Sequence, residues 1–170
     1  MAKHTLSVLV ENHAGVLSRI AGLFSRRGFN IDSHAVGVTE NPEVSRMTIV
    51  VDGDDYIVEQ VSKQLNKLVD VIKIKELEDS DSVSRELALI KVGTTASTRS
   101  EIMQITEIFR AKIIDVSKNT LTVEISGSVD KVAALEDMLK QFGIKEIVRT
   151  GTIAIQRGNK IIKTKNSDEE

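Results

Sequence analysis

The chain runs twice through one order of short apolar strands and amphipathic helices. In the first half, strand patterns cover residues 4–10, 30–39, 45–52 and 70–77, and helical periodicity covers 15–27 and 55–68. In the second half, strand patterns cover 85–93, 112–117, 120–126 and 144–156, and helical periodicity covers 99–111 and 129–141. Each half therefore has the order βαββαβ. This order is typical of a four-stranded antiparallel sheet with both helices on one face.

Local signals set the ends of these elements. Apolar residues recur at helical spacing in the second and third helices; they are Ile57, Val61, Leu65 and Leu68, and Ile102, Ile105, Ile108 and Phe109. Thr98 and Glu101 have the spacing of a capping box at the start of the third helix. Gly28 and Gly143 stand where helices are expected to end.

A short polar stretch, Glu78-Asp79-Ser80-Asp81-Ser82, separates the two halves and has no apolar periodicity. We therefore predict an α+β chain of two tandem ferredoxin-like βαββαβ domains, at residues 1–78 and 84–160, joined by a linker at 79–83. Residues 161–170 are predicted to form a disordered, solvated tail. One sheet face and one edge strand of each unit are left uncovered by its own helices, which predicts self-association.

Composition excludes several classes of function. A net charge of −2 gives no basic surface of the kind that nucleic-acid binding requires. The absence of cysteine excludes disulfides, thiolate chemistry and cysteine-based zinc sites. No apolar run reaches the roughly 18 residues of a membrane span, and the N-terminus lacks a signal-peptide core. We expect a cytoplasmic protein that binds neither nucleic acid nor a membrane.

The most informative local pattern is the junction between the first strand and the first helix. A polar loop containing Asn12 and Gly15 precedes the helix, and Asn30 opens the next strand. The start of a helix presents unpaired N–H groups and a positive dipole end, which suit a carboxylate. Gly15 has no Cβ to keep a ligand from the backbone, and each asparagine offers a donor and an acceptor. Together these residues could hold a small zwitterion such as an amino acid.

A purely structural interpretation of the same residues is a turn asparagine, a turn glycine and a strand-start asparagine. The chain has three histidines, which are His4, His13 and His34. We interpret them as surface or loop residues, because His34 and Asp32 share a strand face to which nothing brings His13 with ligand geometry. The sequence has no P-loop, dinucleotide fingerprint, nucleophile–base pair or carboxylate dyad. No catalytic residue and no metal ligand is predicted.

Residues 5–31 resemble the ligand loop of an ACT domain, the small βαββαβ module that senses amino acids in metabolic enzymes. Further stretches, in order and spacing, resemble the regulatory (small) subunit of acetolactate synthase: Ser45-Arg46-Met47-Thr48, then residues 64–71, 85–92, 108–110 and 113–116. The resemblance covers residues 4–163 and rests on several linked motifs. It implies that the first of the two domains is an ACT domain.

The resemblance also implies where an effector binds, namely between two ACT units. The loop and helix start of one subunit would face the strand start of its neighbour, and the amides of Gly15 and Val16 would bind the ligand carboxylate. An aliphatic side chain would lie among Val16, Leu17 and Ile31. The implied effector-binding residues are Asn12, Gly15, Val16, Leu17, Asn30 and Ile31. Valine is the effector that the family implies, and leucine or isoleucine would fit similar apolar walls.

A member of this family is a non-catalytic subunit in branched-chain amino acid biosynthesis. By this resemblance the chain would activate the large catalytic subunit of acetolactate synthase and confer feedback inhibition by valine. It would bind no cofactor itself, while thiamine diphosphate, Mg²⁺ and FAD would belong to the large subunit. It would form a homodimer through its ACT domains, or a higher oligomer.

Two other classes of function stay open from the residues. One is a free-standing ACT-type amino-acid sensor that acts on another target, such as a transcription factor. The other is a small enzyme that uses His13, Asp32 or His34. The junction in the second half, residues 93–98, lacks the asparagine–glycine loop of the first half. The second domain is therefore expected to serve assembly or response rather than to repeat the effector site.

Overall fold

The computed structural model describes residues 2–162. The elements of the first half are β1 (Ala2–Glu11), α1 (Val16–Arg27), β2 (Ile31–Val38), β3 (Val44–Gly53), α2 (Asp55–Leu65) and β4 (Val71–Leu77). A 3₁₀ turn (Asp79–Asp81) follows, then β5 (Ser82–Gly93), α3 (Arg99–Ile108), β6 (Lys112–Val116), β7 (Thr120–Gly127), α4 (Val129–Leu139), a 3₁₀ turn (Lys140–Phe142), β8 (Ile144–Arg149) and β9 (Ile153–Gln156). The predicted tail, residues 161–170, lies outside the described residues apart from 161 and 162. Within 2–162 no helix is long and apolar enough to cross a membrane.

The chain divides into two compact units. One contains the chain up to Val83 together with the described residues from Thr152 onward, and the other contains Ser84–Gly151. The sequence predicted that residues 152–160 belong with the second half, and in the structure they group with the first. The single strand predicted at 144–156 is two strands, β8 and β9. Gly151, with a positive φ of 78°, lies in the break between them and turns the chain out of its extended path.

The sheet of the first unit is antiparallel, with strand order β2-β3-β1-β4. Alternate residues of its strands point to one face and pack against α1 and α2 in a buried core. The strand members of that core include Leu6, Val8, Met47, Ile49 and Val51, and the helix members include Ile20, Phe24, Val61 and Leu65. The core contains a single aromatic residue among its fully buried members, so branched aliphatic side chains fill it.

The opposite face of this sheet is not left open as the sequence predicted. Its buried residues include Ser7, Leu9, Thr48 and Val50. Thr152 donates its backbone N–H to Oγ of Ser33 at 2.9 Å, and β9 contacts β1 and β4. The segment from Thr152 onward therefore covers part of the face that we had expected a partner to cover. The edge strand β2 does remain open, with Val36 51% and Val38 61% exposed.

The sheet of the second unit has the order β6-β7-β5-β8 and is also antiparallel. Its core joins β5 and β7 to α3 and α4 through residues such as Ile90, Ile102, Val123 and Leu135. Strand for strand, this order repeats that of the first unit. The predicted α+β fold with two tandem ferredoxin-like units is confirmed.

Three predicted helices end earlier than the apolar pattern indicated. α2 ends at Leu65 rather than at residue 68, because Leu68 N–H bonds to the carbonyl of Leu65 in a tight turn at 3.0 Å. α3 ends at Ile108, and Arg110 then takes a positive φ of 53°. α4 ends at Leu139 and tightens into a 3₁₀ turn. Leu68 still packs against the core, so the apolar periodicity continues beyond the last residue of the helix.

Two details of α3 differ from prediction. Ile108 is 78% exposed rather than part of the core stripe, and Thr106 is buried instead, with its hydroxyl bonded to the carbonyl of Ile102 at 2.8 Å. The predicted capping box is wrong, because Thr98 makes no side-chain cap to the helix. Its hydroxyl accepts the N–H of Thr95 at 2.9 Å. Gly28 does end α1 as predicted, in the left-handed conformation with its N–H turned back on the last helical turn.

Replacing the cap of α2 provides a test of local stability. Asp54 precedes the helix and its carboxylate accepts the N–H of Ile57 at 2.9 Å. We expect Asp54→Ala to lower the free energy of unfolding by about 1 kcal/mol and the Tm by roughly 2–4 °C, as measured by thermal unfolding followed by circular dichroism. Asp54→Asn keeps a hydrogen-bond acceptor and should lose only a fraction of this free energy of unfolding. Equal losses in the two variants would contradict the cap assignment.

Candidate functional site

The loop between β1 and α1 is tied to two neighbouring segments. Glu11 N–H bonds to the carbonyl of Asp70 at 2.9 Å, and Asn12 N–H bonds to the carbonyl of Glu43 at 2.8 Å. The side-chain amide of Asn12 donates to the carbonyl of Pro42 at 2.8 Å. Asn12 therefore has the structural role that its turn-residue interpretation predicts. Its side chain is exposed, and its amide oxygen is the group left to meet a ligand.

Gly15 is the residue that starts α1. Its φ of 89° and ψ of −14° lie in the left-handed region, which a side chain disfavours. It provides no side-chain cap, whereas the carboxylate of Asp54 caps α2 and the hydroxyl of Ser128 caps α4. The first N–H groups of α1 are thus left without a side-chain acceptor, and the first turn contains no acidic residue. An anion placed there would find a favourable potential.

Arg19 lies directly beside this glycine, and the sequence analysis missed it. A Cβ built on Gly15 would lie 3.3 Å from Nη1 of Arg19. Nε of Arg19 donates to Oδ2 of Asp70 at 2.7 Å. A usable signal was present, because helical side chains lean toward the N-terminus and an arginine at i+4 reaches back over the first turn. The space above Gly15 is therefore bordered by a guanidinium and not by backbone alone.

Asp70, immediately before β4, anchors this arrangement and was also missed. It is 5% exposed, and its Oδ1 lies 2.9 Å from Nε2 of His13, which is also 3.3 Å from Oε2 of Glu11. These two carboxylates and the imidazole have ligand atoms within 4.8 Å of one another, a spacing that could hold a metal ion. Arg19 already supplies a cation to Asp70, which a buried carboxylate requires.

The remaining predicted site residues differ in what they can offer. Val16 is 3% exposed and packs in the core, so its side chain presents little surface to a ligand in a single chain. Its backbone N–H makes a long bond to the carbonyl of His13 at 3.5 Å, which a ligand carboxylate would have to replace. Leu17 is 48% exposed and Ile31 is half-buried against the core, so both present apolar surface. Asn30 is exposed, and its backbone carbonyl accepts the N–H of Asp52 at 3.3 Å.

One chain does not bring the predicted residues together. Gly15 lies at the start of α1 and Asn30 just beyond its end, and the helix has 12 residues. A helix of that length spans about 18 Å. Asn12, Gly15 and Leu17 therefore lie at one end, and Asn30 and Ile31 at the other. A site containing both groups requires a second copy of the chain, as the prediction of a site between subunits assumes.

The residues of the enzyme alternative are likewise dispersed. Asp32 accepts a bond from Lys3 at 2.8 Å, and His13 lies at the opposite end of α1, close to Asp70. Burial lowers the pKa of His34 below its ordinary value, which favours the neutral ring. The structure shows no acid–base arrangement of these three side chains among residues 2–162.

The corresponding junction of the second unit is satisfied internally. The hydroxyl of Thr95 lies 2.9 Å from that of Ser97 and 3.1 Å from that of Thr98. Thr94 N–H bonds to the carbonyl of Asn119 at 2.9 Å. The polar groups at this position of the second unit are bonded to one another and to the backbone, so they are not free to meet a ligand as those of the first unit are. This supports the expectation that the second unit does not repeat the site.

Comparisons with known proteins cover nearly the whole chain. The family described as "AHAS small subunit-like ACT domain" matches residues 6–73, and the family described as "Small subunit of acetolactate synthase" matches residues 85–158. The probable acetolactate synthase small subunit of Archaeoglobus fulgidus is 58% identical over 93% of this chain and 99% of its own length. The acetolactate synthase small subunit of Mycolicibacterium smegmatis is 56% identical over 91% of each chain.

A solved structure agrees with these matches. The crystal structure of the acetolactate synthase small subunit from Thermotoga maritima superposes with a TM-score of 0.88 and 46% identity, covering 94% of this chain and 99% of that one. Sequence and fold agree over both units. The chain therefore belongs to the acetolactate synthase small-subunit family, the regulatory subunits of that enzyme, and its first unit is an ACT domain.

Proposed function

We propose that this chain binds the large catalytic subunit of acetolactate synthase, raises its activity, and lowers that activity when a branched-chain amino acid occupies the ACT domain. Valine is the first candidate effector. The observation that carries the proposal is the uncapped start of α1 at Gly15, bordered by Arg19, within a unit that matches this family's ACT domain. Thiamine diphosphate, Mg²⁺ and FAD would be bound by the large subunit, in the cytoplasm.

The match of the second unit favours this function over a free-standing amino-acid sensor. That match, at residues 85–158, is to a family described by the acetolactate synthase small subunit itself. A sensor for another target would need only the ACT unit. The second unit would then provide assembly or response, which agrees with its internally satisfied junction.

The effector would lie between two copies of the chain. The loop of one copy would supply the amides at Gly15 and Val16, the amide oxygen of Asn12 and the apolar surface of Leu17. The other copy would supply Asn30 and Ile31. The open edge of β2, with Val36 and Val38 exposed, offers apolar surface for such a homodimer. An effector at this junction would shift the balance between two states of the assembly.

Reconstitution tests the proposed function. The purified large subunit is assayed for acetolactate formation from pyruvate, alone and with this chain, and then with L-valine, L-leucine or L-isoleucine. We expect activity to rise when the chain is added and to fall when one of the three amino acids follows. A large subunit whose activity does not change on addition of the chain would contradict the proposal.

Asn30→Ala tests the neighbour's half of the site. Loss of the amide should remove one or two hydrogen bonds to a charged ligand, or about 1.5–3 kcal/mol of binding free energy, and so weaken valine binding by about 10-fold or more. The measurement is calorimetric titration of the full chain. Asn119→Ala is the matched control, because Asn119 is exposed in the second unit and its bond to Thr94 N–H uses the backbone carbonyl rather than the side chain. Equal valine affinities of the Asn30→Ala variant and the wild type would exclude Asn30 from the site.

A further inference from the structure

We propose that Arg19 binds the carboxylate of the effector, and that Asp70 positions the guanidinium for this task. The inference rests on the proposed function and adds to it a charged ligand residue. It also assigns a chemical class, because a guanidinium in this position selects ligands with a free carboxylate. Neither residue belongs to the set that the sequence predicted.

The guanidinium of Arg19 has one edge occupied and one edge available. Nε bonds to Asp70 at 2.7 Å, while Nη1 and Nη2 have no hydrogen bond with any residue from 2 to 162. These two nitrogens lie 3.3 and 3.9 Å from the position that a Cβ on Gly15 would take. Two parallel N–H groups on one planar edge match the two oxygens of a carboxylate. The available edge therefore lies where the amides of Gly15 and Val16 are expected to bind the same group.

Asp70 makes this arrangement rigid. Its side chain is 7% exposed, and its second oxygen lies 2.9 Å from Nε2 of His13. Its backbone carbonyl accepts the N–H of Glu11 at 2.9 Å, so the same residue also fixes the loop that precedes Gly15. A guanidinium held in this way loses less conformational freedom when a ligand binds. Arg19 itself stays 49% exposed, so a ligand can reach it.

Arg19 places a positive charge at the start of α1, where Asp70 pairs with one edge of the guanidinium. A positive side chain near the start of a helix opposes the helix dipole. Arg26 and Arg27 occupy the favourable last turn of the same helix, whereas Arg19 folds back over the first. Asp70 offsets one positive charge, and the first turn contains no acidic residue to offset the dipole. A carboxylate bound here would be attracted both by the start of the helix and by the available edge of the guanidinium.

The test compares L-valine with L-valinamide, which keeps the ammonium and the side chain but has no carboxylate. Both are titrated by calorimetry into the full chain. The wild type should prefer valine, and Arg19→Gln should weaken valine binding by about 10- to 100-fold while changing valinamide binding by less than about threefold. Arg19→Lys keeps the charge without the planar edge, so its affinity for valine should lie between those of the wild type and Arg19→Gln. Lys63→Gln is the charge-matched control, since Lys63 pairs with Glu59 on the exposed face of α2.

Arg19→Gln leaves Asp70 buried without its cation, which could unfold the loop. The double variant Arg19→Gln/Asp70→Asn removes both charges and should show the same loss of preference for valine over valinamide. If the wild type binds valine and either variant keeps its valine-to-valinamide ratio, the role of Arg19 is overturned and the proposed function stands. If the wild type binds no branched-chain amino acid, with or without the large subunit, both are overturned.

Discussion

A Gly15→Asp variant is expected to lose inhibition by valine while it still raises the activity of the large subunit. The new carboxylate would stand beside Nη1 of Arg19, where a Cβ already comes within 3.3 Å, and would take the place of the ligand carboxylate. It would also repel that carboxylate. Because charge-assisted bonds are worth about 1.5–3 kcal/mol each, the loss of two or more predicts a drop in affinity of at least about 100-fold. Valine inhibition curves of the reconstituted enzyme measure this drop in affinity.

Two control variants separate charge from backbone strain. Gly15→Ala adds a Cβ at a φ of 89° without a charge. It should cost about 1 kcal/mol of stability and weaken valine binding far less than Gly15→Asp does. Gly158→Asp adds the same carboxylate at another positive φ, 63°, with nothing within 4 Å, and should keep full inhibition. Inhibition curves for Gly15→Asp that overlay the wild type would rule out the proposed site.

Truncation after Leu77 is expected to leave a folded ACT unit that self-associates and has lost effector control. The fragment keeps the sheet β2-β3-β1-β4, both helices and their core. It loses the segment from Thr152 onward, and with it the bond to Ser33 and the contacts of β9 with β1 and β4. Newly exposed apolar side chains cost about 1.5–3 kcal/mol each when fully uncovered. We expect the Tm to fall by roughly 10 °C and the fragment to associate beyond a dimer.

The sheet face uncovered in this way can be tested separately. Leu9 is 2% exposed and lies on that face, so Leu9→Thr in the fragment should reduce its association, as measured by sedimentation. A fragment that is unfolded by circular dichroism would show that the first unit needs the segment from Thr152 onward in order to fold. A folded fragment that still confers full valine inhibition on the large subunit would show that the second unit has no part in regulation.

Periodicity predicted the elements well because the fold depends on it. Apolar alternation and helical stripes placed eight strands and four helices in order, and both sheets formed from them. The single strand predicted at 144–156 is wrong because β8 and β9 both contain apolar residues at strand spacing and only Gly151 marks the break between them. Nothing local indicates that β9 groups with the first unit. That contact joins residues 119 positions apart, as the bond between Ser33 and Thr152 illustrates.

The local conformation of the proposed site was predictable where it depends on the backbone. Gly15 does adopt the left-handed conformation that starts α1, and Asn12 does lie in the loop before it. Arg19 and Asp70 were missed because their ion pair spans 51 positions and only the register of β4 against β1 brings them together. The burial of Val16 was not predictable, because the residue after a helix start can point to solvent or to the core, and here it packs in the core.

Mixed dimers test most directly the central claim that two chains share each effector site. Gly15→Asp and Asn30→Ala chains are denatured, mixed in equal amounts and refolded, and tight valine sites are counted by calorimetry. Random pairing makes about half of the dimers mixed, and each mixed dimer has one intact site of its two. We predict about a quarter of the tight sites of the wild type, although neither parent has them. A mixture with no more tight sites than its parents would contradict the account, because a site within one chain is damaged in every chain present.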